Sequence, residues 1–280
     1  MTFPKLIATD LDGTILHRGT EISERVIKAL KAAKKRGAVL TIATGRSYPS
    51  IPQNLLGGEI FDYAIVANGA LTKSAPFGKT ILKELMDAQK LVEPIHHLER
   101  LGYMFTMQIE GNEFYEIRRA ALVKKRIEDN HESLEGFNAY MKTTQPVQSV
   151  LEIIKTNPGP IVKLSAINLS SENGKDLAAS LMQRYKVEVS AVSPREVEIT
   201  AYNASKGKGL LALGKLLGIS KVETIAFGDS GNDFSLVEGA GKVYAMANGE
   251  AQIKEIAHKI APSIEEDGVA LILEEILSQY

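Results

Sequence analysis

Cysteine is absent from this 280-residue chain. Without thiols there is no disulfide framework, no thiolate nucleophile and no cysteine-held zinc. That suits a reducing compartment, and a cytoplasmic location is the expectation. An excess of basic charge is missing too: 33 Lys and Arg stand against 34 Asp and Glu, for a net charge of -1. Such a balance supplies no positive field for nucleic acid, and no polybasic tract breaks it. Long apolar runs are also lacking, since none approaches the roughly 20 residues that cross a bilayer. Met1-Thr2-Phe3-Pro4-Lys5 leads into the first predicted strand without a charged leader and apolar signal core. Neither nucleic acid nor a membrane is an expected partner. The histidines, at 17, 96, 97, 131 and 258, show no zinc-ligand spacing.

What remains is an ordinary globular composition, 44% hydrophobic and 24% charged, long enough for one large domain or two ordinary ones. Against it stand five residues near the start, Asp10-Leu11-Asp12-Gly13-Thr14. They follow the apolar run Leu6-Ile7-Ala8, which reads as a buried strand. In an extended backbone Asp10 and Asp12 point the same way, and Gly13 permits a sharp turn behind them. Two acids on one tip repel unless a cation lies between them. Oxygen-only ligands favour a hard ion, Mg2+ foremost. A carboxylate so placed is also a candidate nucleophile towards phosphorus.

The flanking pattern alternates strand and helix. Ser23 can cap a helix with the apolar face Val26, Ile27, Leu30 and Ala33, ended by Gly37. Val39–Ala43 and Tyr63–Ala67 are apolar strands ending at Thr44-Gly45-Arg46 and Asn68-Gly69. The same texture returns late: a helix through Leu210 to Leu217 closed by Gly218, then strands Thr224–Phe227 and Val243–Met246, then helices over 249–257 and 268–277. This pattern predicts an α/β fold with a doubly wound, Rossmann-like parallel sheet. The middle differs. Met104–Ile109 and Glu113–Ile117 flank a Gly111-Asn112 turn, Ile161–Asn168 is a strand, and Ser171–Tyr185 is a helix. Val187–Val192 and Glu196–Thr200 suggest a second hairpin through Ser193-Pro194. The expectation is a core of residues 1–80 and 202–280 with an α+β module, 81–201, inserted in it.

In open parallel sheets ligands bind beyond the carboxyl ends of the strands. Asp10, Thr44, Asn68 and Asp229 end predicted strands and would meet at one edge. Thr44 can donate a hydroxyl to a phosphate oxygen, and Gly45 allows close backbone approach. Lys206, after the cap candidate Ser205, adds positive charge. Gly228-Asp229-Ser230-Gly231-Asn232-Asp233 adds carboxylates and an amide. Taken singly, each has a blander reading. Asp-x-Asp-Gly is usually a solvated turn, Thr44 a helix cap, and Lys206 a surface lysine with Lys208 as its neighbour and competitor. Asn68-Gly69 can be a plain turn. Residues 228–233 lack the full twelve-residue calcium-loop pattern. Arg118-Arg119 and Lys124-Lys125-Arg126 read as a solvated helix face.

Together, Asp10–Thr14, Thr44-Gly45-Arg46, Lys206-Gly207 and Gly228–Asp233 resemble, in order, the four motifs of the haloacid dehalogenase superfamily. The insert between the second and third motifs resembles the Cof-type, type-IIB phosphatase branch. Ala245-Met246-Ala247-Asn248 and Glu266-Asp267-Gly268-Val269-Ala270 also look like that branch. Tyr202-Asn203-Ala204 departs from it, where a Gly-Val pair is common. The resemblance implies that Asp10 forms an aspartyl-phosphate and Asp12 serves as general acid and then base. It implies phosphate binding by Leu11, Thr44, Gly45, Lys206 and Asn232. Mg2+ would be held by the Asp10 side chain, the Asp12 carbonyl and Asp229, with Asp233 contributing directly or through water. The implied substrate is a small phosphate monoester, sugar phosphates leading and nucleotide, flavin or pyridoxal phosphates following. The rival readings are a sugar phosphomutase, a phospho-acceptor module without turnover, and a regulatory binding protein.

Overall fold

The computed structural model describes residues 3–17, 21–131, 133–157 and 159–280. In chain order its strands are β1 (Leu6–Thr9), β2 (Val39–Ala43), β3 (Tyr63–Val66), β4 (Leu71–Ser74), β5 (Thr80–Lys83), β6 (Met104–Ile109), β7 (Asn112–Glu116), β8 (Gln145–Val147), β9 (Ile161–Ile167), β10 (Val187–Ser193), β11 (Glu196–Ala201), β12 (Thr224–Gly228), β13 (Lys242–Met246) and β14 (Lys259–Ala261). They build one sheet ordered β14-β13-β12-β1-β2-β3-β4-β5 and another ordered β10-β11-β9-β6-β7-β8. The chain divides correspondingly into Met1–Lys83 with Ala204–Tyr280, and Glu84–Asn203.

In the first unit, β14 through β3 run parallel, with β1 between β12 and β2. Leu6 and Ala8 pack with Leu210, Leu213 and Leu236. Ile7, which alternation turns to the opposite face, is equally buried. The sheet is therefore covered on both sides, the doubly wound arrangement that unbroken apolar strands require. Helix Glu24–Lys35 begins where the Ser23 hydroxyl accepts the Val26 N–H. It buries Val26, Ala29, Leu30 and Ala33, whereas Ile27 is only half-buried. Helix Lys206–Leu217 is capped by Ser205 and ends at Gly218 in the left-handed conformation. The final helices span Ala251–Ile256 and Gly268–Ser278. Four strands escaped the sequence reading: β8 in the other unit and three here. β4 and β5 extend the parallel sheet by antiparallel pairing, and β14 is a three-residue edge strand.

In the second unit, β10-β11-β9-β6-β7 are antiparallel and β8 joins parallel to β7. Phe105, Met107, Leu164, Ala166, Val197 and Ile199 face an apolar core. Both hairpin turns differ from expectation by one residue. Ile109 pairs with Asn112, so the first turn is Glu110-Gly111, with Gly111 supplying the positive φ of 92°. Ser193 pairs with Glu196, making the second turn Pro194-Arg195. The second unit's last long helix starts at Gly174, later than expected. The basic cluster lies on helix Ile117–Asp129, as its reading as a helix face implied, whereas helices Glu135–Thr143 and Val150–Thr156 were not foreseen as elements. The basic cluster is not uniformly solvated. Arg119 is largely buried, paired with Glu196 at 2.6 Å and donating to the Ser165 carbonyl at 3.2 Å. Among the described residues no helix is long and apolar enough to cross a membrane.

Candidate active site

Four adjacent parallel strands, β12, β1, β2 and β3, end at the same edge, and the residues just beyond their ends carry the polar groups. The Asp10 N–H donates to the Phe227 carbonyl at 3.0 Å, tying the end of β1 to β12. The Thr44 N–H donates to Ile65 O, and the Asn68 N–H to Thr44 O, which binds the ends of β2 and β3 together. Asn68 adopts φ 53° in a buried 3₁₀ turn, a conformation asparagine tolerates better than most residues. Gly69 follows with φ 96°, and a Cβ there would lie 2.1 Å from the Ser205 carbonyl oxygen. This close approach lets the start of helix Lys206–Leu217 rest on the strand ends.

Lys206 is the first residue of that helix and is completely buried. Its Nζ lies 2.9 Å from Asp10 Oδ1 and 2.7 Å from Asp233 Oδ1. Burial opposes its charge, yet the two carboxylates outweigh that and push the ammonium pKa upward. Asp233 closes a capping box with Ser230, its Oδ2 accepting the N–H groups of Ser230 and Asp229. Both of its oxygens are thus engaged. Gly228 makes room for this carboxyl, since a Cβ there would lie 2.5 Å from Asp233 Cγ.

Asp10, Asp229 and Asp233 each offer an oxygen within 4.8 Å of the others. Burial, then the negative charge of Asp233, raises the Asp10 pKa well above the carboxylate range, with Lys206 opposing. Asp229 is pushed to about 6, by burial and then by Asp233, while the hydroxyl of Thr14, donating at 2.9 Å, pulls the other way. Three carboxylates against one ammonium carry a formal surplus of two negative charges. An all-oxygen trio with that surplus fits a divalent cation, whose charge would relieve the same repulsion.

Asp12 does not join this trio. The strand ends at Thr9, the chain bends through Leu11, and the half-exposed Asp12 carboxylate turns to Arg46. Its oxygens accept from Arg46 Nε at 2.8 Å and Nη2 at 2.6 Å. The expectation of two parallel acids sharing one cation through their side chains is corrected accordingly: the extended backbone it assumed stops one residue before Asp10. Leu11 is buried, and its carbonyl accepts the N–H groups of Thr14, Ile15 and Leu16. Thr44 is buried, its hydroxyl accepting the Arg46 N–H at 3.2 Å; Gly45 lies between them. The Asn232 amide donates to Asn68 Oδ1 at 3.1 Å, which brings the Asn68 turn into the same network. Lys208, the neighbour and competitor of Lys206, is half-buried, and its backbone N–H is taken by the Ser205 hydroxyl at 3.2 Å.

Sequence reasoning gave no part to several groups that hold the site. Thr14 anchors Asp229. Asn248 donates to the Gly13 carbonyl at 2.8 Å and accepts the Ile264 N–H at 2.9 Å, clamping the turn behind Asp10. Gly13 itself, at φ 77°, leaves no space for a side chain, because a Cβ would stand 2.3 Å from Asp229 Oδ2. Thr14 and Asn248 lie within the motifs already quoted, but their partners are distant in sequence.

A doubly wound sheet with its acids and a buried lysine at the carboxyl ends of adjacent strands defines a class, an α/β enzyme with a phosphate-type crevice site. Within that class, residues 7–273 match the family model of the haloacid dehalogenase-like hydrolases, and the chain belongs to that family, in its Cof-type phosphatase branch. It is a phosphoric monoester hydrolase. Its relatives include the phosphatase YwpJ of Bacillus subtilis, 30% identical across 98% of this chain and 100% of its own length. The 5-amino-6-(5-phospho-D-ribitylamino)uracil phosphatase YwtE of the same organism is 28% identical, covering 99% of each chain. The structure of BT4131, a subclass IIB sugar phosphatase, shares the fold with a TM-score of 0.80 and 23% identity, over 97% of this chain and 98% of its own.

Proposed function

We propose that the protein is a Mg2+-dependent phosphatase of small sugar or sugar-alcohol phosphates, working through an aspartyl-phosphate on Asp10. The observation that carries this reading is the buried Asp10–Lys206 contact inside the carboxylate trio. The oxygen-only donor set favours a hard ion such as Mg2+. Asp10, Asp229 and the Asp12 carbonyl would hold it, while Asp233, already engaged by Lys206 and two backbone N–H groups, steadies the set from behind. When bound, such a cation neutralises charge on the phosphoryl oxygens.

An Asp10 carboxylate oxygen attacks phosphorus, and the bond from phosphorus to the leaving oxygen breaks. Asp12, protonated for this step, gives its proton to that oxygen, so a neutral alcohol departs. Asp12, now a carboxylate, takes a proton from water. The resulting hydroxide attacks phosphorus and releases inorganic phosphate, restoring the Asp10 carboxylate. Lys206, Thr44 and Asn232 position the phosphoryl group, with Leu11 and Gly45 contributing backbone groups. Lysine charge at this place stabilises the spread negative charge of the transition state. To the inserted unit, Glu84–Asn203, this reading gives the choice of leaving group.

Two comparisons support the substrate class. YwtE acts on a compound whose phosphate sits on a ribityl chain, and the fold is shared with a sugar phosphatase. The test is a phosphate-release screen over sugar, sugar-alcohol, nucleotide, flavin and pyridoxal phosphates, with Mg2+ and with chelator. Release from polyol phosphates that needs Mg2+ is the expected result. An isomeric sugar phosphate formed without free phosphate would make the protein a mutase instead. A stable phosphoprotein without turnover would make it a phospho-acceptor.

A further inference from the structure

Arg46 has no part in the mechanism above, yet its guanidinium grips the proposed acid/base more completely than any other group in the site. Nε and Nη2 each reach one oxygen of Asp12, at 2.8 and 2.6 Å. Nη1 donates to the Ser50 carbonyl at 3.0 Å. Arg46 is itself anchored through its main chain: its N–H reaches the Thr44 hydroxyl, and its carbonyl accepts the Ala67 N–H at 2.9 Å. All three guanidinium nitrogens are therefore engaged by protein atoms, and the residue is built into the ends of β2 and β3.

Magnitudes say what this pair is for. The Asp12 side chain is 51% exposed. An ion pair that open adds little to stability, because water screens it. Geometry is where it has leverage. Asp12 follows a strand end and precedes a glycine with φ 77°, so its own backbone does little to hold one rotamer. A planar fork that takes both carboxylate oxygens fixes the orientation of the group, which a point charge cannot do. Misplacing a reacting group by about 1 Å can cost roughly 100-fold in rate.

We propose that Arg46 is a positioning residue for proton transfer, holding Asp12 aligned with the leaving-group oxygen. The inference rests on the reading of Asp12 as acid/base given above. Its test exploits leaving groups that differ in their need for a proton. Release of the leaving group is followed in a single turnover, for p-nitrophenyl phosphate, whose phenolate departs unprotonated, and for an alkyl phosphate turned over by the wild type. The expected result is that Arg46→Ala loses about 10–100-fold more on the alkyl ester than on the aryl ester, with little change in KM. Arg46→Lys, unable to fork, recovers part of that gap. Arg46→Ala added to Asp12→Ala produces little further loss on the alkyl ester, because the two residues act as one unit. Equal losses on both esters, a rise in KM alone, or additive losses in the double variant would overturn the proposal. Arg46→Lys keeps the test decisive should Arg46→Ala fold poorly. A wild type that hydrolyses no monoester defeats the function reading itself. An active wild type silenced by Asp10→Asn, with equal Arg46→Ala losses, defeats only the role of Arg46.

Discussion

The Lys206 ammonium bridges Asp10 and Asp233 at 2.9 and 2.7 Å, with all three side chains buried. Removing it leaves two carboxylates facing each other without a counter-charge. Lys206→Met is predicted to cost about 3–5 kcal/mol of stability in metal-free protein, the usual result of breaking a buried pair from one side. Turnover should fall by about 100–1000-fold, the scale of losing one charge stabiliser from a reacting centre. Urea unfolding and phosphate release measure the two effects. A variant as stable and as active as the parent would mean the contact has neither role.

Asp10→Asn is expected to abolish phosphate release while leaving the metal-free protein at least as heat-stable as the wild type. The reason is that burial and neighbouring acids already raise the Asp10 pKa, so the fold prefers a neutral group there. Thermal melts in chelator, alongside turnover with Mg2+, provide the check. Full turnover would remove Asp10 from the nucleophile role, and a large drop in Tm would contradict the electrostatic argument.

Metal affinity should tighten as pH rises from 5 to 7. Asp229 must be ionised to bind a cation, and its pKa is held at about 6 against an ordinary 3.8. Below 6 the expected slope is about tenfold per pH unit for this one proton. The same shift has a stability consequence of definite sign. Between about 4 and 6 the metal-free native state binds more protons than the unfolded chain, so this group's contribution makes stability fall as pH rises through that window. Mg2+ should restore it above pH 6. Calorimetric titration at several pH values tests the first statement, and melts with and without Mg2+ test the second. Affinity that does not vary across this range would exclude Asp229 as a ligand.

Two glycines with nearly the same backbone angle make a controlled comparison. Gly69 and Gly37 have φ of 96° and 92°, but a Cβ meets the Ser205 carbonyl oxygen at 2.1 Å in the first case and nothing within 4 Å in the second. Gly37→Ala should cost about 1 kcal/mol from backbone strain, with turnover preserved. Gly69→Ala must also displace the cap of helix Lys206–Leu217, so turnover should fall by at least about tenfold, as expected when a charged group shifts in a preorganised site. Paired melts and turnover assays decide it. Equal effects of the two changes would show that the contact with Ser205 does not hold Lys206 in place.

Much of the site was legible before any coordinate. Asp10, Thr44 and Asp229 each end or follow an apolar run, and a parallel sheet sends such ends to one edge. Ser205 and Gly218 marked both ends of the helix that carries Lys206. The orientation of Asp12 was not legible, because it depends on where β1 stops and on a guanidinium 34 residues away. The strands β4, β5, β8 and β14 are only three or four residues long and are stabilised by their neighbours, so their local pattern is faint. The hairpin turns slipped by one residue for a related reason, since register is set by pairing across the strands.

Hydrophobic periodicity, helix caps and turn glycines act within a few residues, and these local preferences by themselves determined the α/β class, the inserted module and the inventory of acids. Tertiary packing alone decided which groups meet. It joined Thr14 to Asp229 across 215 positions and Asn232 to Asn68 across 164. It also drew three like charges together around one buried ammonium. A repulsive cluster of that kind has no local signature, because the free energy that tolerates it comes from the surrounding sheet and helices.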